Sequence, residues 1–166
     1  LMIKINVITN KTIWSKFIKT PTVYIDKKVK KLNLKNKKFK KNNIFCTLLL
    51  SNDQEIKNLN KKFRKKNVST DVLSFPFHSK KKLEKKLIKE KEIYLGDIII
   101  NLNKIKIRDN LKNSKLEFDK LWIHGLVHLF GYDHKIKKDF ETMLKVEKEY
   151  LKYIKKLLKN ILIIVF

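Results

Sequence analysis

The sequence predicts an α+β fold: a mixed sheet of about four strands packed with helices, carrying a metal site on a late buried helix and the turn after it. Three observations predict this. Segments of strand character all begin before residue 103, and two of them stand as a pair midway along the chain. Long helical patterns close the chain. Three of the four histidines fall together in the first of those late helices and its end. No internal repeat or linker-like stretch divides the chain, so residues 1–166 are expected to form a single domain, long enough to bury a core.

Each element has its own signal. Ile3, Ile5 and Val7 alternate with polar residues and read as a first strand. Residues from about 10 to 31 look helical, with Pro21 as an interruption. A loop rich in lysine and asparagine is expected from Lys35 to Asn43, and a buried strand from Ile44 to Leu50. Ser51 or Asn52 then caps a helix running to Arg64, with Ile56, Leu59 and Phe63 on one face. Asp71 to Phe77 is a short strand that ends at Pro76. Lys80 to Glu92 is a charge-dense insertion, read as a solvated hairpin or helix. Tyr94 to Leu102 gives another strand, and helices follow from about Leu116 to Phe130 and Phe140 to Leu158. The apolar end, Ile161 to Phe166, is expected to pack on the body.

A hydrophobic share of 43% is that of a globular chain rather than a disordered one. No apolar run approaches the roughly 20 residues of a membrane-spanning helix, and the N-terminus reads as a strand rather than a signal segment. Cys46 is the single cysteine, which excludes an internal disulfide and a thiolate metal cluster. A cytoplasmic location is the expectation. The formal charge of +25 points to a polyanionic partner such as RNA or a ribosomal particle. Alanine is absent and arginine occurs only as Arg64 and Arg108, a mark of AT-rich codon bias, which inflates lysine on any surface. We credit about half of the basicity to that bias. Where glycine, arginine and histidine are this scarce, their positions carry more information.

The segment His124-Gly-Leu-Val-His128-Leu-Phe-Gly131-Tyr-Asp-His134 is the informative one. Residues i and i+4 share a helix face, so His124 and His128 can reach one ion together. Gly131 suits the left-handed residue that ends a helix, and Tyr132-Asp133 turns the chain to bring His134 to the same point. Three imidazoles with an open fourth position form a catalytic rather than a structural zinc site, with one Zn2+ expected per chain. The spacing is also that of the metzincin proteases, with glycine seven residues after the first histidine. Those enzymes need a glutamate directly after the first histidine as general base, and Gly125 stands there. Peptide hydrolysis by that route is unsupported.

The His124–His134 segment resembles the signature of the bacterial YbeY family of metal-dependent endoribonucleases. Leu59-Asn60-Lys-Lys-Phe63-Arg64 and Thr70-Asp71-Val72-Leu73-Ser74-Phe75-Pro76 are similar to the family's other characteristic block. Leu95-Gly96-Asp97-Ile98 matches a third, and Met143 and Glu147 sit where the family's last helix has them. The resemblance runs from about Leu48 to Leu151; the first forty-odd residues and the insertion at Lys80 to Glu92 share only the general layout. It implies a cytosolic zinc nuclease cutting single-stranded RNA, active in ribosomal RNA processing, in 3′-end maturation of the small-subunit 16S rRNA and in ribosome quality control. It also implies that the metal ligands are His124, His128 and His134, and that Arg64 is functional.

Arg64 is expected to stabilise charge building on a scissile phosphate. Asp97 is expected either to orient a ligand histidine or hold a water, or else to bond backbone at its strand end. Asp71 and Ser74 shape their strand, Asp133 orders the loop presenting His134, and His78 reads as a surface residue. Trp122, Phe75, Phe77 and Tyr132 read as core or cleft wall, where an exposed ring could stack on an unpaired base. The reading from another class is an assembly factor that binds RNA and the ribosome and uses its zinc structurally. A third, weaker one is a hydrolase of other substrates on a metzincin-like site.

Overall fold

The computed structural model describes residues 2–9, 12–36, 41–105, 111–134 and 136–155. The apolar segment at 161–166, the end of the last helix as expected from sequence and part of the lysine/asparagine loop lie outside the described residues. The strands are β1 (Ile3–Thr9), β2 (Asn43–Ser51), β3 (Val72–Pro76) and β4 (Glu92–Asn101). The helices are α1 (Ile13–Phe17), α2 (Pro21–Lys35), α3 (Asp53–Arg64), α4 (Lys80–Lys89), α5 (Leu111–Leu129) and α6 (Lys137–Ile154). This is the α+β arrangement expected, with one mixed sheet of four strands.

The sheet order is β1-β2-β4-β3, with β1, β2 and β4 parallel and β3 antiparallel to β4 at the edge. One face carries Ile3, Ile5, Ile44, Cys46, Leu48, Leu50, Ile98 and Ile100 into the main core, against Trp14, Ile25, Leu32, Phe118, Trp122 and Leu126. Among the described residues the other face is covered at one end only, where Ile56 and Leu59 of α3 pack on Leu49, Leu73 and Ile99. Burial of such side chains stabilises by about 1.5–3 kcal/mol each, so the helical face dominates the fold's stability.

Local chemistry explains several boundaries. The helical stretch is interrupted before Pro21, as expected, and Pro21 opens α2, because proline fits the first turn, where its missing N–H costs nothing. Asn52 is the cap of α3, its side chain accepting the Glu55 N–H at 3.0 Å. The Lys80 insertion is a helix, anchored by buried Leu83. Asp119, nearly buried on α5, accepts from Lys28 Nζ (2.7 Å), Tyr24 Oη (3.1 Å) and Trp122 Nε1 (3.0 Å). That network ties α2 to α5, and both the carboxylate and desolvation push the Tyr24 phenol well above its usual range, with desolvation the larger cause.

Strand β4 contains a bulge. Phe45 opposes Tyr94 but Thr47 opposes Asp97, so β4 spends an extra residue at Leu95–Gly96. Gly96 has φ +131°, and a Cβ there would lie 2.1 Å from the Phe75 carbonyl oxygen, so only glycine fits. The bulge shifts the alternation of every residue after it.

Candidate metal centre and cleft

Helix α5 reaches the sheet through Gly125, whose missing side chain lets it sit against Ile98 and Ser74. A Cβ at Gly125 would lie 2.6 Å from Ile98 Cγ2. The position held by the protease glutamate is therefore given over to packing. The helix stops in a Schellman arrangement: Gly131 N–H donates to His128 O at 2.8 Å, and Tyr132 N–H donates to Val127 O at 3.3 Å. Gly131 has φ +84°, the left-handed conformation this stop requires. Asp133 Oδ1 then accepts the His134 N–H at 2.8 Å, ordering the loop that presents the third imidazole.

The result is a convergent donor set. His124, His128 and His134 each offer a ring nitrogen, and these atoms lie within 4.8 Å of one another. His128 Nδ1 bonds the Tyr132 carbonyl at 2.9 Å, and His124 Nδ1 bonds Glu147 Oε1 of α6 at 2.7 Å. A carbonyl can only accept, so His128 carries its proton on Nδ1 and leaves Nε2 free to bind an ion; the Glu147 carboxylate selects the same tautomer in His124. Burial, and then the neighbouring His124, hold His128 below the usual histidine range, which favours the neutral form a metal needs. The donor set fits a divalent ion of nitrogen preference.

The histidines line one open cleft of about 970 Å³ with Arg64, Ser74, Phe77, His78 and Lys80. Arg64 arrives from the last turn of α3, which ends at once in left-handed Lys65. Its Nη2 donates to the Ser74 carbonyl at 2.9 Å, and its guanidinium sits 5.7 Å from the Phe75 ring centre. No carboxylate among the described residues pairs with it. Arg64 therefore brings a braced positive charge to the cleft that holds the histidines, where Asp71 and Asp133 also line the wall. On the edge strand β3, Pro76 offers no N–H and the Ser74 carbonyl is already taken, so an extended polypeptide finds the edge blunted.

Asp97 stands elsewhere. Ile98 faces α5, so Asp97 projects from the opposite sheet face, where it accepts a hydrogen bond from Tyr94 Oη at 2.5 Å. The carboxylate that bonds one of the three histidines is Glu147, whereas Asp97 bonds Tyr94 and is not the partner of a histidine that the sequence offered as one of its readings. Glu147 was visible in the sequence only as a matched position; its contact spans 23 residues and needs α6 folded against α5. His78, expected on the surface, lines the cleft with its Nδ1 buried and without a partner among the described residues. Trp122 is core, whereas Phe77 and Tyr132 are cleft wall.

The model of the family described as "Endoribonuclease YbeY" matches residues 8–155. An endoribonuclease YbeY of Pelagibacter ubique is 45% identical over 93% of this chain and 97% of its own length. Another, of Buchnera aphidicola subsp. Acyrthosiphon pisum, is 36% identical over 78% of this chain and 77% of its own. The solution structure of a Thermotoga maritima protein shares the fold with a TM-score of 0.57 and 23% identity, covering 91% of this chain and 89% of that one. With matching sequence blocks, nearly full-length relatives and a common fold, the chain belongs to the YbeY endoribonuclease family.

Proposed function

We propose that the protein is a zinc-dependent endoribonuclease specific for single-stranded RNA. Its place would be the cytoplasm, in ribosomal RNA processing that includes 3′-end maturation of small-subunit 16S rRNA, and in ribosome quality control. The observation that carries this reading is the shared cleft: three imidazoles, two of them oriented by hydrogen bonds, and an arginine without a carboxylate partner among the described residues line the same cavity. Family membership supports RNA as the substrate class. The blunted β3 edge argues against an extended peptide in the same place.

The donor set of three neutral nitrogens suits zinc, which when bound supplies Lewis acidity and a nucleophile usable at neutral pH. The chain's own residues do the rest. Glu147 and the Tyr132 carbonyl keep His124 and His128 in the donating orientation. Arg64, held by the Ser74 carbonyl and the Phe75 ring, has N–H groups left to bond a phosphodiester and to follow its charge as that charge grows. Exposed His134 and the openness of the cleft favour a working metal over the structural zinc of an assembly factor, since structural sites are closed.

The test uses purified protein with matched single-stranded and duplex RNAs. Elemental analysis is expected to find about one zinc per chain, lost in His128→Ala. Cleavage is expected on the single strand, abolished by chelator and restored by added zinc. A folded protein that holds no metal, or one that holds zinc and cuts neither RNA, would overturn the reading.

A further inference from the structure

We propose that the uncovered end of the sheet is a second RNA-binding surface, a stacking platform that holds an unpaired stretch of the strand leading into the metal cleft. The proposal rests on the reading of RNA as substrate and adds a surface outside the cleft.

The strand register lays the face out in rows. Ile8, Leu49, Ile99 and Leu73 form one row; the last three pack beneath α3, while Ile8 at the outer edge stays exposed. Asn6, Thr47, Asp97 and Phe75 form the next. The third is Lys4 on β1, Phe45 on β2, Tyr94 on β4 and Phe77 at the end of β3. Among the described residues no helix covers this third row. Phe77 is 68% exposed and Tyr94 36%, with Phe45 half-buried between its neighbours. Three aromatic rings thus lie in one row, on β2, on β4 and one residue past the end of β3.

These rings are braced. Tyr94 Oη bonds both Asp97 and Thr47, at 2.5 and 2.8 Å. Phe77 meets Tyr94 and His78 edge-on, with ring centres 5.8 and 4.9 Å away. Lys4 Nζ stands 5.8 Å from the Phe45 ring centre. A platform already ordered loses little entropy when a base stacks on it. Asp97 on the middle row is occupied by Tyr94, and Glu92 lies one row further out.

Two observations name the occupant. Phe77 belongs both to this row and to the lining of the metal cleft, so the platform runs into the cleft where Arg64, Lys66 and Lys80 stand. The chain's charge of +25 favours a polyanion over an acid-poor polypeptide. Rings exposed on a sheet offer faces to unpaired bases and nothing to a duplex, whose bases are already stacked.

The experiment compares wild type with Tyr94→Ala, Tyr94→Phe and Phe77→Ala. Binding is read by anisotropy of a labelled single-stranded DNA of about 12 nucleotides, because stacking is indifferent to the sugar. Cleavage is read on RNAs of about 12 and about four nucleotides, the shorter reaching only the cleft. Tyr94→Ala is expected to weaken binding of the long strand about tenfold and to raise its KM, with the short substrate unchanged. Tyr94→Phe, which keeps the ring, is expected to restore the long-strand behaviour. Phe77→Ala, at the junction, is expected to affect both lengths. Long-strand binding unchanged in Tyr94→Ala overturns the proposal and leaves the face to a polypeptide, the segment at 161–166 included. Equal loss on both lengths also overturns it, as a general structural defect. Ring-dependent binding without any cleavage upholds the platform and sinks the nuclease reading instead.

Discussion

Glu147 and Arg64 make the same residue-scale point: each is fixed by a hydrogen bond that a single substitution removes. Glu147→Gln keeps the shape but loses the charge on His124 Nδ1. We expect metal affinity to fall about 10–100-fold, measured by competition with a chromophoric chelator. Arg64→Ala is expected to slow RNA cleavage by about a hundredfold or more with zinc content unchanged. Arg64→Lys is expected to recover little, because a lysine cannot bond the Ser74 carbonyl and a phosphate with one planar fork. Full activity in Arg64→Ala would return the residue to a structural role. The pH dependence also belongs here. His128 has its folded value lowered, so above about pH 6.5 it is neutral in both folded and unfolded chains. As pH falls from there through the folded value, the unfolded chain takes the proton first, and stability of the metal-free protein declines. Thermal unfolding of metal-free protein across that range, with His128→Gln as reference, checks the sign.

The elements explain what was legible and what was not. The ligand histidines could be read because all three come from one helix and its stop, a pattern carried by eleven consecutive residues. The four strands were legible from periodicity and came out within a few residues; the late helices were legible too, although α5 is already helical at Leu111 and the expected end of the last helix lies outside the described residues. The face on which Asp97 stands was not legible, because simple alternation along Tyr94 to Leu102 does not register the extra residue at Leu95–Gly96. The interruption at Pro21 was legible, since the chain breaks between α1 and α2 there, but not that the proline opens the second helix. Glu147 needed tertiary structure. Gly125 was read for what it lacks as a base, and its packing role appeared only with Ile98 beside it. Gly125→Ala is expected to push α5 off the sheet and cost about 1–3 kcal/mol, seen as a lowered Tm. It should also raise the KM for RNA, since the same helix carries two ligands. An unchanged Tm would show that Ile98 moves aside freely.

On the scale of the whole molecule, the fold is expected to stand without the metal. The main core joins the sheet to α1, α2, α5 and α6 without any of the three histidines. Chelation is therefore expected to leave the far-ultraviolet circular dichroism unchanged and to lower Tm only by the linkage of a lost ligand. Unfolding on chelation would mean that the metal is structural. The compactness of the ligand segment reaches further, into how the protein is made. The sheet needs partners far apart in sequence, as when β1 pairs with β2 and β2 with β4. The metal donors need only a helix and the turn behind it, and closing so short a loop costs little entropy. On a growing chain the donor set is complete once His134 has emerged, before α6 supplies Glu147. Because His134 stays exposed after folding, a chain made while metal was scarce keeps a reachable site. On the proposed reading, metal supplied after synthesis is expected to load finished molecules without new synthesis.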